Sequence, residues 1–76
     1  MMPEIIESPV FGPLPVIATL RHCQLIDARS YQGIRDDGTV VTVRSKTQVQ
    51  RERYVVQLDQ AGAACGVVLL KWKRRR

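Results

Sequence analysis

Five of the last six residues are basic, and this run of cations is the part of the sequence best suited to recognition chemistry. It reads Lys71-Trp72-Lys73-Arg74-Arg75-Arg76. Charges this dense repel one another and stay solvated unless an anionic partner neutralises them, and nucleic-acid phosphates are the commonest such partner. The indole of Trp72 adds a flat face on which a base could stack. The alternative is a tail that only aids solubility, with Trp72 packed on the domain.

A second basic group lies around the polar segment 45–53. Its cations are Arg44, Lys46, Arg51 and Arg53. Val49 is the only apolar residue of the segment, which is therefore either a hairpin with exposed faces or a loop. Since base reading needs clustered polar side chains on a ribbon or a helix, this segment is the one candidate for sequence-specific contact.

The net charge of +5 is concentrated rather than spread along the chain. The 70 residues before the tail carry seven cations and seven anions, so they are neutral together. This distribution indicates a neutral domain with a basic tail rather than a basic domain. We divide the chain into an extended proline-rich arm (1–15), a small β domain (16–70) and the basic tail (71–76).

Groups suited to catalysis or metal binding are scarce. The chain has two cysteines and one histidine, whereas a structural zinc site takes about four ligands. Cys23 follows His22 directly, so on a strand the two side chains point to opposite faces and make a poor nucleophilic pair. A chain of 76 residues rarely frames a buried catalytic cleft. We therefore expect no enzyme, no metal and no cofactor, and we interpret Cys23 and Cys65 as small apolar residues, either free or bonded to each other.

Features of membrane or secreted proteins are also weak. No apolar run approaches the ~20 residues of a membrane span, and no amphipathic helix accompanies the cations. The N-terminus has neither the basic start nor the continuous apolar stretch of a secretory signal. Two cysteines do not make a disulfide scaffold, so we expect a reducing cytoplasm and no membrane partner.

The strands that must position these residues are indicated by two hairpins. The strand segments are 31–35, 39–44, 54–58 and 63–71. An Asp37-Gly38 step joins the first two, which is a strong hairpin signal between β-branched runs. Residues 59–62 supply turn chemistry between the last two. Both faces of the final strand are apolar up to Lys71, so we expect that strand to be central or buried on two sides.

Residues 16–26 fit two interpretations. Alternating apolar residues predict a strand, whereas a spacing of three and four residues would also place Val16, Leu20 and Cys23 on one helix face. The β-branched content favours the strand. The fold class that we predict is mainly β, a small antiparallel barrel-like sheet of four or five strands with the size of SH3-like or Sm-like domains. The alternative is an α+β domain with one short helix near residues 15–24.

The N-terminal arm contains all four prolines, which exclude a regular helix and favour extended conformations. It is nevertheless apolar and acidic, so it either packs along the domain or docks on a partner. Phe11 is the only phenylalanine of the chain, and we take it, with Val10 and Glu7, as the candidate contact with a protein partner.

In size, in the arm Glu7-Ser8-Pro9-Val10-Phe11-Gly12-Pro13 and in the tail 71–76, the chain resembles the small bacteriophage-encoded inhibitors and antiterminators of host RNA polymerase. The resemblance implies binding to a polymerase subunit in the cytoplasm of the bacterial host, with the tail near the exiting RNA. The Asp37-Gly38 step, segment 54–58 and segment 66–71 also resemble the spacing in the Sm-like bacterial inhibitor of the termination factor Rho.

We therefore predict a non-enzymatic regulatory binding protein that acts on bacterial transcription. In this hypothesis the arm anchors on RNA polymerase, and the tail occupies a site that nucleic acid or an acidic protein segment would otherwise use. The alternatives are a stand-alone RNA- or DNA-binding module, an inhibitor of another host factor such as Rho, and a structural homo-oligomer. We expect a monomer, with a homodimer through the final strand as the alternative.

Overall fold

The computed structural model describes residues 4–74, and this part of the chain consists of strands, turns and loops without a helix. The strands are β1 (Ile5–Ser8), β2 (Gly12–Asp27), β3 (Ser30–Ile34), β4 (Val40–Arg44), β5 (Tyr54–Leu58) and β6 (Ala64–Trp72). The predicted fold class, a small mainly β domain, is confirmed. The alternative helix near residues 15–24 is wrong, because that segment lies within β2, where its β-branched residues suit an extended backbone.

The strands form one curled sheet in the order β4-β3-β2-β6-β5, with β1 paired to the start of β2. Both predicted hairpins are confirmed: β3 pairs with β4, and β5 pairs with β6. The sheet is mixed rather than antiparallel throughout, because β2 and β6 run parallel. The curl makes the sheet a half-barrel that stays open between its two end strands, β4 and β5.

Residues 5–15, which belong to the predicted arm, form the hairpin of β1 and the start of β2. Ile5 faces Pro15, and the Val16 N–H donates to the Glu4 carbonyl oxygen at 2.9 Å. Because antiparallel ladders bond at alternate residues, an N–H at Pro13 or Pro15 would point away from β1. The two prolines therefore fit within a strand without removing a hydrogen bond to β1.

A bulge at His22 bends β2, which pairs with both β3 and β6. The backbone of His22 is left-handed, with φ at 53°. The pairing register shifts here on both sides of β2, between Arg21 and Gln24 against β3 and between Leu20 and Cys23 against β6. Bulges of this kind bend a strand and increase its twist, so the bulge contributes to the curl of the half-barrel.

Two small apolar cores lie on opposite faces of β6, as the two-faced pattern of its sequence predicted. The buried residues of the first core are Leu20, Cys23, Tyr31, Val49 and Leu70. Those of the second are Ile6, Leu14, Val67 and Leu69. The β1–β2 hairpin supplies Ile6 and Leu14 and so covers one face of β6, while the inside of the half-barrel covers the other.

Candidate functional site

The basic tail and the basic segment 45–53 meet at Trp72. Arg51 lies with its guanidinium carbon 5.9 Å from the centroid of the Trp72 ring. Arg51, Lys73 and Arg74 line one cleft of about 260 Å³, together with residues 23–25. We call Arg51, Trp72, Lys73 and Arg74 the Trp72 surface. The structure thus joins into one surface two basic groups that are about 20 residues apart in the sequence.

Three contacts hold the indole of Trp72 in place. Trp72 is the last residue of β6 and pairs with Cys23 of β2 in the parallel register. Its Nε1–H donates to the carbonyl oxygen of Glu52 at 2.8 Å. Its ring lies 5.4 Å from the ring of Tyr31 at an angle of 53°. The indole is therefore joined to segment 45–53 through Glu52 and to the first core through Tyr31.

Backbone hydrogen bonds position the cations on either side of Trp72. The Lys73 N–H donates to the Cys23 carbonyl oxygen at 2.9 Å, which extends the β2–β6 pairing past the end of β6. The Leu70 N–H donates to the carbonyl oxygen of Arg53 at 2.9 Å and so ties segment 45–53 to β6. Arg51 has a left-handed backbone with φ at 56°, an uncommon conformation for a residue with a side chain.

The acidic and titratable groups near this surface are few. Glu52 is the only carboxylate of segment 45–53, and its Oε1 accepts a hydrogen bond from the Gln50 N–H at 3.2 Å. Cys23 borders the cleft, but its thiol is buried in the first core. Burial raises the pKa of this thiol, an effect that a hydrogen bond from the Lys71 backbone opposes. Because a raised pKa keeps the thiol neutral, the charges that line this cleft in the described residues are those of Arg51, Lys73 and Arg74.

The other predicted cations are distributed around the Trp72 surface. Lys71 is exposed on β6, and Lys46 and Arg53 are exposed in segment 45–53, which is a loop rather than a hairpin. Arg44 ends β4 and lies on a neighbouring groove that Glu52 also lines. Arg75 and Arg76 lie outside the described residues.

The predicted protein-binding residues of the arm lie elsewhere, at the β1–β2 turn. Val10 is 81% exposed and Phe11 is 43% exposed, while Glu7 is exposed on β1. The turn is held by Ser8, whose Oγ accepts from the Phe11 N–H at 3.1 Å, and by Gly12, whose φ of 73° suits glycine. Val10 and Phe11 therefore form an ordered apolar tip, separated along β2 from Cys23, the partner of Trp72.

Sequence reasoning missed the contributions of Tyr31 and Glu52 to the Trp72 surface. Tyr31 is buried in the first core, and its ring also contacts Trp72. Glu52 contributes a backbone carbonyl, a group that every residue has, to a partner 20 positions away. No local pattern in the sequence could reveal either contact.

Among residues 4–74 no group of three or more His, Cys, Asp or Glu side chains is arranged to hold a metal ion. In the same part of the chain, no helix has the length and apolarity needed to cross a membrane. Both cysteines are free: Cys23 is buried and Cys65 is exposed. Comparisons with protein-family models, with curated proteins and with solved structures found no match to this chain.

Proposed function

We propose that this protein is a non-enzymatic binding protein that contacts nucleic acid through the Trp72 surface. The observation that carries the proposal is the convergence of Arg51, Lys73 and Arg74 on one cleft beside an immobilised indole. Three cations held at one place form a better phosphate site than a disordered tail, because less side-chain freedom is lost on binding. The Arg51 guanidinium, supported by the indole, can also stack on an unpaired base.

The expected signature of this binding is its dependence on salt. Each cation that neutralises a phosphate of a single strand releases a counterion and adds about 0.7 to the slope of log affinity against log salt. The three cations of the Trp72 surface therefore predict a slope of roughly −2, and the other cations of the tail would steepen it.

A binding assay with labelled single-stranded oligouridine over a series of salt concentrations tests the proposal. We expect Arg51→Gln and Lys73→Gln each to weaken binding and to reduce the slope by about 0.7. Arg35→Gln is the matched control, because it removes the same charge from the exposed β3–β4 turn. Absence of RNA binding at low salt, or equal slopes for all three variants, would contradict the proposal.

We further propose that the protein regulates bacterial transcription by docking on RNA polymerase, with the Trp72 surface and the tail near nucleic acid. The exposed tip of Val10 and Phe11 supports a docking role, because exposed apolar side chains on an ordered turn can anchor in a pocket of a partner. In this mechanism the domain acts sterically, by occupying space that RNA or an acidic segment of the polymerase would otherwise use.

Capture of purified bacterial RNA polymerase by the tagged protein tests the docking. Phe11→Ala should weaken capture at least fivefold, which corresponds to about 1 kcal/mol. Val40→Ala, which truncates another exposed apolar residue, is the control. If the protein binds RNA but does not capture polymerase, the stand-alone nucleic-acid-binding module is the better description.

A further inference from the structure

The half-barrel leaves a groove between β4 and β5, the two end strands of the sheet. Each of these strands is hydrogen-bonded to one neighbour in the sheet order of residues 4–74. The groove has two adjoining parts, of about 250 and 390 Å³. Both parts are lined by the same four residues: Tyr31, Val43, Val55 and Val56. The groove is therefore continuous along the gap in the barrel.

The register of β4 shows which of its backbone groups face the gap. The Ser45 N–H donates to the Arg29 carbonyl oxygen at 2.7 Å, while Ser30 pairs with Arg44. Since bonded pairs alternate along an antiparallel ladder, the N–H and C=O groups of Val41 and Val43 bond to β3. Those of Val40, Thr42 and Arg44 point outward, to the open edge.

The same argument applies to β5 on the other side of the gap. The Leu70 N–H donates to the Arg53 carbonyl oxygen, while Tyr54 pairs with Leu69. The backbone groups of Val55 therefore bond to β6, and those of Tyr54 and Val56 point to the open edge. Two unpaired strand edges thus border one groove.

The floor of the groove is formed mainly by apolar side chains. Its apolar part is lined by Leu20, Val41, Val43, Val55 and Val68, among others. Tyr31, which is only 2% exposed, lines both parts, and its hydroxyl is buried without a hydrogen-bond partner. Because the hydroxyl is itself buried, the surface that the floor offers to an occupant is mainly that of the apolar side chains.

The charges at the rim are unequal at the two ends. Where β4 ends and β5 begins, Arg44, Lys46 and Arg53 are exposed, and Glu52 is the nearby anion. At the opposite end, Arg35 lines the groove, but Asp36 and Asp37 follow it in the turn. The first end is therefore the more cationic, and it favours an acidic group there.

From these observations we infer that the groove binds an extended segment of a protein partner, which adds as a strand between β4 and β5. The segment would alternate apolar and polar residues, with the apolar side chains on the floor and acidic residues at the end near Arg44 and Arg53. Main-chain hydrogen bonds to the two edges would give affinity, and the alternate side chains would give specificity. The groove adjoins the Trp72 surface at Tyr31 and Glu52 but is lined by none of Arg51, Lys73 and Arg74, and the inference requires neither the proposed contact with nucleic acid nor that with polymerase.

The experiment uses three synthetic peptides of ten residues, each with a core of alternating valine and threonine. They begin with two glutamates, two glutamines or two lysines. We expect the acidic peptide to bind at least tenfold more tightly than the basic one. Amide NMR shifts should change at Val40, Thr42, Arg44, Tyr54 and Val56. Failure of all three peptides to bind, or shift changes confined to other amides, would overturn the inference.

Thr42→Pro provides a sharper test, because proline removes the outward N–H of β4 without removing a bond to β3. We expect Thr42→Pro to weaken binding of the acidic peptide at least fivefold and Thr42→Ala, which keeps the N–H, to leave it within twofold. If Thr42→Pro does not fold, the amide shifts of the wild-type protein decide the question. The protein without peptide should also be examined by sedimentation and by amide hydrogen exchange. A dimer in which the same amides are protected would assign the groove to a second copy and overturn the inference.

Discussion

The guanidinium of Arg51 lies over the indole of Trp72, 5.9 Å from the ring centroid. The same indole donates its Nε1–H to the carbonyl oxygen of Glu52, the residue after Arg51. These two contacts attach the loop 45–53 to the end of β6. Together with the hydrogen bond from the Leu70 N–H to the Arg53 carbonyl oxygen, they bring basic residues of the loop close to those that follow β6.

Loss of the Arg51 side chain should therefore change both the stability and the fluorescence of the protein. Trp72 is the only tryptophan, so tryptophan emission reports on the surroundings of this indole. We expect Arg51→Ala to shift the emission to the red, as water reaches the indole, and to lower the free energy of unfolding by about 0.5–1 kcal/mol. Arg51→Lys keeps a cation and should show less of both effects. Unchanged emission in Arg51→Ala would show that the guanidinium does not cover the ring in solution.

Removal of the Tyr31 hydroxyl should not destabilise the protein. This hydroxyl is buried without a hydrogen-bond partner, so Tyr31→Phe removes a group that was desolvated without compensation. We expect the free energy of unfolding in urea to stay the same or to rise by up to about 1 kcal/mol. Tyr54→Phe is the control, because Tyr54 is only half-buried. A loss of more than about 1 kcal/mol in Tyr31→Phe would mean that the hydroxyl has a partner in solution.

Stability should decrease at alkaline pH because of Cys23. Burial raises the pKa of its thiol, so the folded state holds this proton at pH values where the unfolded chain has lost it. The free energy of unfolding that the neutral Cys23 thiol contributes is fully present below the pKa of the unfolded chain, roughly 8.5, and is lost as the pH rises through the pKa of the folded state. Burial also raises the pKa of Tyr31, which adds a similar loss above about pH 10.

Urea unfolding between pH 7 and pH 10 measures this effect. The difference in free energy of unfolding between the wild-type protein and Cys23→Ala should narrow as the pH rises, because the variant has no thiol at this position. Cys65→Ala serves as the control for the exposed thiol. A constant difference between wild type and Cys23→Ala over the whole range would contradict the assignment.

The close approach of β2 to β6 predicts a strong effect of Gly66→Ala. A Cβ at Gly66 would lie 2.6 Å from Cγ2 of Ile17 and 2.8 Å from the carbonyl oxygen of Pro15. The second contact is with backbone and cannot be relieved by a rotamer change, so we expect a loss of about 1–3 kcal/mol in urea unfolding. Ile17→Ala in the same chain should restore only part of it. Equal stability of Gly66→Ala and wild type would show that β2 and β6 are farther apart in solution.

Much of the local structure follows from short-range patterns. The Asp37-Gly38 step and the turn at 59–62 lie between β-branched runs, and both become hairpins. The two-faced apolar pattern of β6 predicts a strand with a core on each side, and the two cores confirm it. These features can be predicted because turn residues and the alternation of side chains determine the structure of only a few neighbouring positions.

Only the tertiary structure decides which strands distant in the sequence pair with each other. The parallel register of β2 and β6 joins Cys23 to Trp72 across 49 positions, and no turn signal marks such a pairing. The same applies to the contact of Arg51 with Trp72 and to the position of the unpaired edges of β4 and β5, which the curl of the sheet brings to the two sides of one groove. By itself the sequence determined that the chain forms strands and where its charges lie. Burial of β6 on both faces brings distant strands against it, and these contacts decide which charges and which strand edges lie close together.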